Sequence, residues 1–253
     1  LSHEFANKIA CITGASRGIG AAAALALARS GVPRFVIHYH SYREGAEQTL
    51  AAIRDLGADG ALISADLTTS CGIHCLVKEL QEQQGIDILV NNAGALIQRA
   101  PLAQYPEKLF DQVMTLNAKS VLFLTQAVVP HMISNSGGVI VNVSSIAARN
   151  GGSIGAAVYA AAKAAVSSIT KGLARELAPK GIRVNAISPG TVDNHFHEAF
   201  SSREMLESVV AATPAGRLGT DEEMADAIVF LCSQASRYIH GQTIELNGGM
   251  YMV

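Results

Sequence analysis

The sequence holds four cysteines, Cys11, Cys71, Cys75 and Cys232. They are too few to staple a disulfide scaffold, and Cys11 and Cys232 fall in apolar runs where a free buried thiol is the ordinary reading. A reducing compartment is expected. Excess basic charge is missing as well: 19 Lys plus Arg face 21 Asp plus Glu, a formal net charge of −2. No field therefore exists to grip a phosphate backbone or an anionic bilayer, and nucleic acid and membrane are set aside as partners. No run reaches the roughly eighteen apolar residues of a membrane span, and residues 1–10 lack the apolar stretch of a signal peptide. A soluble, cytoplasmic protein is expected. Internal repeats, low-complexity tracts and separating linkers are also lacking, so the 253 residues read as one domain, 1–253. With 49% hydrophobic residues, a chain of this length hides roughly 70 to 75% of its unfolded surface, which excludes disorder.

What is present is an alternation. Short apolar runs at 8–13, 34–39, 60–65, 87–90, 139–143, 183–187 and 243–246 are divided by segments of helical period. Those segments include 43–56, 70–84, 106–134 and 159–177, and a stretch that aligns Met224, Ala225, Ile228, Val229 and Cys232. Parallel strands need long crossover connections, and right-handed crossovers cover both faces of a sheet. The expectation is an α/β, Rossmann-like, doubly wound parallel sheet of seven strands with helices on both faces. Residues 188–219 form the one long irregular stretch, and such loops are usually functional.

Ligands of open parallel sheets bind beyond the carboxyl ends of the strands. After the first strand the chain reads Thr-Gly-Ala-Ser-Arg-Gly-Ile-Gly from Thr13. Gly14, Gly18 and Gly20 permit a sharp turn and a close approach to a pyrophosphate, with the next helix pointing its first amides at the negative charge. Taken alone, three glycines are also compatible with a plain tight turn. They are joined by Asn91-Asn92-Ala93-Gly94 after strand four, Ser144-Ser145 after strand five, Tyr159 and Lys163 one helical turn apart, Pro189-Gly190 after strand six and the closing Asn247-Gly248-Gly249. This set, in this order, resembles the short-chain dehydrogenase/reductase family along essentially the whole chain, most nearly its 3-oxoacyl carrier-protein reductase and secondary-alcohol dehydrogenase group.

The resemblance implies Tyr159 as general acid/base and Lys163 as the cation that lowers its pKa and holds the nicotinamide ribose. It implies Ser145 as the donor orienting the carbonyl and Asn117 as support for a proton-relay water. Elementary physics is compatible with those roles. Residues four apart share a helix face. A phenol titrating near pH 10 needs a shift of about three units, roughly 4 kcal/mol, to serve as a base at neutrality. One ammonium about 4 to 5 Å away at an effective dielectric near 20 supplies roughly 3 to 4 kcal/mol. Ser145 to Tyr159 is one residue longer than the commonest family spacing, and the extra residue is assigned to the glycine-rich loop 150–155.

The same resemblance places Ser16, Arg17, Ile19, Asp66, Leu67, Asn92, Ala93, Gly94, Pro189, Gly190 and Val192 along the cofactor, with the three turn glycines. Asp66 doubles as a turn-capping group before Thr68. No carboxylate ends strand two, which reads Tyr39-His40-Ser41 before Glu44. Arg17, Ser41 and His40, beside Tyr39, then form a pocket for a 2′-phosphate, which favours NADP(H) and leaves NAD(H) open. Asn194 stands where many relatives carry threonine.

Cys71, His74 and Cys75 lie on neighbouring helix faces but lack a fourth ligand, so no metal site is assigned. His195 and His197 flank Phe196 in a segment, 191–215, expected to be the substrate lid. The alanine-rich surface around Tyr159 suits burial in a homotetramer or homodimer. The reading is an NADP-dependent oxidoreductase acting on CH–OH and C=O groups of a small-molecule or acyl-carrier substrate. The rival is a catalytically idle NADP(H)-binding regulatory or assembly protein.

Overall fold

The computed structural model describes residues 3–83 and 85–252, and the side chains of His3 and of residues 197–199 lie outside that description. Gln84, the expected end of the third helix, is likewise outside the described residues.

Among the described residues one sheet of seven strands has the order β3-β2-β1-β4-β5-β6-β7, where β1 is Ile9–Ile12, β2 Arg34–Tyr39, β3 Asp59–Ser64, β4 Ile88–Asn91, β5 Gly138–Val143, β6 Ile182–Pro189 and β7 Thr243–Leu246. Every neighbouring pair is parallel. The winding direction reverses between β1 and β4, and the crevice at such a switch point is where ligands bind.

The helices are α1 (Gly18–Arg29), α2 (Arg43–Asp55), α3 (Ser70–Glu82), α4 (Glu107–Met114), α5 (Ser120–Ser134), α6 (Ala147–Asn150), α7 (Ala157–Leu177), α8 (His195–Phe200), α9 (Arg203–Ala212) and α10 (Asp221–Cys232). Their apolar stripes sort onto two faces. Ala23, Ala24 and Leu27 of α1, Ala46 and Ile53 of α2, and Met224, Ala225 and Ile228 of α10 share a core with Phe35 and Ile37 of β2. Ile73, Leu76 and Leu80 of α3, Leu124 and Val128 of α5 and Ala174 of α7 pack with Val36 and Leu89 on the opposite face. Alternation along β2 therefore sends Phe35, Ile37 and Tyr39 one way and Val36 the other. Helix ends follow local chemistry: α1 stops before Gly31 at φ 104°, and Thr220 and Glu223 form a capping box at the start of α10.

Three expectations are corrected. The helical stretch 106–134 is interrupted by a π-helical turn, Thr115–Lys119. The expected irregular stretch 188–219 contains α8 and α9; α9 carries an apolar stripe of Met205, Leu206, Val209 and Val210 at helical spacing, although none of its residues is fully buried. Its start is written in Ser202, whose hydroxyl accepts from the Met205 amide at 3.2 Å. Thirdly, the continuous helical segment Glu107–Ser134 is long and apolar enough to cross a membrane by length and composition alone. Leu124, Val128 and Met132 from it are buried in the inter-layer core, while Phe110, Leu122 and Ile133 are exposed.

Candidate active site

A cleft of about 660 Å³ runs along the carboxyl ends of the strands, from Arg17, Ser41 and Asp66 at one end, past Tyr159 and Lys163, to Phe196 and Phe200 at the other.

The glycine turn closes the first end. Gly14 and Gly18 have φ of +65° and +62°, and a Cβ on Gly20 would sit 2.5 Å from both Asn92 Nδ2 and the Gly14 carbonyl. Only glycine fits these positions. Thr13 stitches the turn to the exit of β4: its hydroxyl accepts from the Asn92 amide at 3.0 Å and the Ala93 amide at 2.9 Å. Asn92 Nδ2 answers by donating to the carbonyls of Thr13 (2.8 Å) and Gly14 (3.1 Å). Helix α1 starts from Arg17 with no side-chain cap, leaving its first amides to face the cleft as a helix N-terminus that suits an anion. The cradle fits a dinucleotide pyrophosphate.

His38 holds the turn from below. Its Nδ1 accepts from the Gly14 amide at 3.1 Å, and its Nε2 lies 3.0 Å from the Ala65 carbonyl. The two contacts fix one tautomer, with the proton on Nε2. The side chain is buried, and desolvation pushes its pKa down to about 4 despite the Ala65 bond, so it is neutral. The expectation had named Tyr39 and passed over His38. Because side chains alternate across a strand, Tyr39 faces the core with α1 and α10, and the structure does not bring it to the cleft.

Beyond β2, His40, Ser41 and Tyr42 line the cleft with Arg17, whose guanidinium lies 5.3 Å from the centroid of the Tyr42 ring. Asp66 carries the turn-capping role: Oδ1 accepts from the Thr68 amide (2.9 Å) and hydroxyl (2.7 Å), while His40 Nε2 stands 3.8 Å away. Leu67, Ala93, Pro189, Gly190 and Val192 also line the cleft. Gly190 is held to glycine because a Cβ would meet Asn247 at 2.8 Å. Asn194 Nδ2 donates to Asp221 at 2.7 Å, and its Oδ1 accepts from the Phe196 amide at 3.1 Å, opening α8.

The middle of the cleft carries the proton chemistry. The exit of β5 is pinned to β6 by the Ser144 amide on the Ile187 carbonyl (2.8 Å) and the Ile146 amide on the Pro189 carbonyl (2.9 Å). Of the adjacent serines, Ser144 is buried. Its hydroxyl donates to the Lys163 carbonyl at 2.9 Å and lies 2.9 Å from Ser167 Oγ, which makes it a staple between β5 and α7. Ser145 accepts from the Ala147 amide at 3.1 Å and hydrogen-bonds Tyr159.

Lys163, 3% exposed, donates to the Val143 carbonyl at 2.8 Å and lies 5.8 Å from the Tyr159 ring centroid. Desolvation pulls its ammonium down to about 8. Tyr159 is half-buried, and desolvation pushes its phenol up to about 12, opposed by the Ser145 bond. Within the protein's own groups loss of hydration outweighs the Ser145 bond at the phenol, and Lys163 gives one of its three N–H donors to the Val143 carbonyl.

Asn117 sits in the π-helical turn, fully buried. Its Nδ2 donates to the carbonyls of Ala95 and Val113, both at 2.9 Å, and its Oδ1 accepts from the Ala95 amide at 3.1 Å. The side-chain amide thereby fastens the loop after β4. A Cβ on Gly94 would lie 2.7 Å from both Asn117 Oδ1 and Lys163 Nζ, so glycine there lets all three meet.

At the far end, the Phe196 ring is 6.0 Å from Tyr159 and 5.1 Å from Phe200. His195 lines the cleft on α8; the His197 side chain is outside the described residues. Arg99, five residues beyond Gly94 and not anticipated, also lines this end. Cys71 and Cys75 are exposed on α3.

Comparison with known proteins agrees with this geometry. The family model described as Enoyl-(Acyl carrier protein) reductase, of the short-chain type, matches residues 14–251. A 3-oxoacyl-[acyl-carrier-protein] reductase of Staphylococcus aureus is 39% identical over 247 residues, covering 97% of this chain and 99% of the relative. A solved structure of a NAD(P)-dependent gluconate 5-dehydrogenase, so described as putative, from Beutenbergia cavernae with bound NADP superposes with a TM-score of 0.90 at 34% identity, covering 97% of each chain. An NADH-dependent reductase responsible for alginate metabolism superposes with a TM-score of 0.86 at 36% identity over 100% of both chains.

Proposed function

The chain belongs to the short-chain dehydrogenase/reductase family of oxidoreductases, and from that membership we propose that it transfers a hydride between NADP(H) and a carbonyl or secondary-alcohol substrate, with Tyr159 as general acid/base. The observation that carries the reading is the single cleft that joins the glycine cradle to Ser145, Tyr159 and Lys163.

A bound nicotinamide supplies or accepts the hydride. The chain supplies the rest. In reduction, the Tyr159 hydroxyl donates its proton to the oxygen of the reacting carbonyl, and a phenol raised to about 12 is in the required protonated state at neutral pH. Ser145 hydrogen-bonds the same oxygen as negative charge develops on it. Lys163, held by Val143, presents a positive charge one helical turn from Tyr159 and binds the ribose, and Asn117 fixes the loop that carries Gly94 against it. In the oxidising direction the phenol must first lose its proton, so that direction gains from higher pH.

Arg17, His40 and Ser41 with no carboxylate at the end of β2 support NADP(H) over NAD(H). Relatives go both ways, NADP in the Beutenbergia structure and NADH in the alginate-metabolism reductase, so the reading rests on this chain's own residues. Segment 191–215, with α8 and α9, serves as the lid over the substrate, which is a small molecule or an acyl thioester on a carrier. We place the protein in the cytoplasm as a homo-oligomer, its exposed Phe110 and Leu122 on α4 and α5 being covered by a second copy. The test is a screen of ketones and alcohols that follows the absorbance of the reduced dinucleotide. Turnover is expected in the wild type and a loss of at least about a thousandfold in Tyr159→Phe; undiminished turnover in the variant removes Tyr159 from its role.

A further inference from the structure

The far end of the cleft carries a charge that the hydride-transfer reading leaves unused. Arg99 lines it. The guanidinium is held in place by Nε donating to the Phe200 carbonyl at 3.1 Å and by Nη1 donating to Ser153 Oγ at 2.6 Å and to the Ile154 carbonyl at 3.0 Å. None of these acceptors is charged, and among the described residues Arg99 has no acidic partner. An arginine has five N–H donors. Both of those on Nη2 remain without a protein partner among the described residues.

Position and charge distribution agree on a use for them. Phe200, whose carbonyl anchors Nε, has its ring tilted against Phe196, and Phe196 in turn lies against Tyr159, so the guanidinium lines the same cleft as the proton donor, on its substrate side. Among the described residues lining the cleft the single carboxylate is Asp66, which follows edge strand β3 at the opposite end and is occupied by Thr68. The substrate end therefore has a fixed cation and no described anion to neutralise it. The loop that presents Arg99 is also strained. Ile97 has φ 66°, a left-handed conformation unfavourable for a β-branched residue, and such strain persists where the surroundings enforce it, often at ligand sites.

We propose, resting on the hydride-transfer reading above, that Arg99 is the receptor for a carboxylate on the substrate, and that the protein interconverts a hydroxy acid and its oxo acid. The carboxylate is held at Nη2 while the reacting oxygen lies at Ser145 and Tyr159. With Nε and Nη1 already engaged, Nη2 offers a single charge-assisted N–H to one carboxylate oxygen; a phosphoryl dianion is better matched by the several donors already taken up here by Phe200, Ser153 and Ile154. Because the same guanidinium grips the Phe200 carbonyl, occupation of Nη2 also bears on the seating of α8 over the cleft.

The experiment compares hydroxy acids of three to six carbons with their primary amides, each offered with the oxidised dinucleotide to wild type, Arg99→Lys and Arg99→Gln. The wild type is expected to prefer acid over amide in kcat/KM by at least about tenfold, with the preference falling to near unity in Arg99→Gln and partly kept in Arg99→Lys. No acid preference in the wild type overturns the proposal, and a preference that survives Arg99→Gln overturns the assignment to Arg99. Turnover of neutral alcohols with no preference for acids defeats this inference and leaves the oxidoreductase reading standing. Should no compound turn over, calorimetric titration of the dinucleotide-loaded protein with the same pairs reads the preference without chemistry, and equal affinity for acid and amide again overturns it.

Discussion

Replacing His38 by leucine keeps the apolar volume under the glycine turn and removes two hydrogen bonds at once. The Gly14 amide loses its acceptor and the Ala65 carbonyl its donor, both in a region where His38 is 2% exposed. An orphaned buried polar group costs about 1 to 3 kcal/mol, so the pair puts the loss at roughly 2 to 6 kcal/mol near neutral pH. The pH dependence carries a separate signature. His38 titrates at about 4 in the folded protein against an ordinary value of 6.5. Between those values the unfolded chain binds a proton that the folded one does not, so stability is fully present above 6.5 and falls as pH drops toward 4. The separation corresponds to about 3 kcal/mol at the acid end. Urea unfolding at steps from pH 7 to pH 4, with calorimetric binding of dinucleotide at pH 7, measures both effects. His38→Leu is expected to be less stable at pH 7, to lack this share of the acid slope, and to bind dinucleotide more weakly because the Gly14 turn is loosened. Equal stability at pH 7, or an acid slope identical to that of the wild type, refutes the reasoning.

Ser144→Ala should cost about 1 to 3 kcal/mol of stability, seen in denaturant melts, since its hydroxyl is buried between β5 and α7; Ser145→Ala should instead lower kcat by about a hundredfold with little change in stability. Arg17→Gln should reduce the preference for NADP over NAD in kcat/KM by about tenfold or more, the loss of one charge-assisted contact. With Tyr159 raised to about 12, kcat/KM for alcohol oxidation should climb about tenfold per pH unit from 6 to 8 while carbonyl reduction stays flat, and the climb should bend near 8 as Lys163 loses its charge. An oxidation rate independent of pH over that interval contradicts a neutral phenol.

The sheet and the placement of Tyr159, Lys163 and the glycine turn were legible because strand-helix alternation and fixed-spacing motifs are local signals. The serine pair at the end of β5 was legible too, and the packing of Ser144 onto α7 leaves Ser145 as the one hydrogen-bonded to Tyr159. What escaped depends on long-range geometry. His38 and Tyr39 are adjacent aromatic polar residues, and which faces the cleft follows from the sheet's two cores rather than from either residue type. Asn117 lies in the π-helical turn, and the use of its amide on Ala95 and Val113 could be seen only in three dimensions. Arg99 had no motif, and its meaning comes from the neutrality of its partners. The cost of desolvating Tyr159 and Lys163, which raises the one and lowers the other, is a property of the packed cleft and has no local signal.

The account stands on proton exchange at Tyr159 coupled to hydride transfer in one cleft, and isotope tracing reads that coupling directly. Reduced dinucleotide deuterated at the nicotinamide C4 is incubated with protein and a carbonyl substrate, and the product is weighed by mass spectrometry. The prediction is one deuterium delivered to the carbonyl carbon per turnover in the wild type, and transfer slowed at least about a thousandfold in Tyr159→Phe with dinucleotide still bound. Product formed without the label, or labelled as fast by the variant as by the wild type, contradicts it.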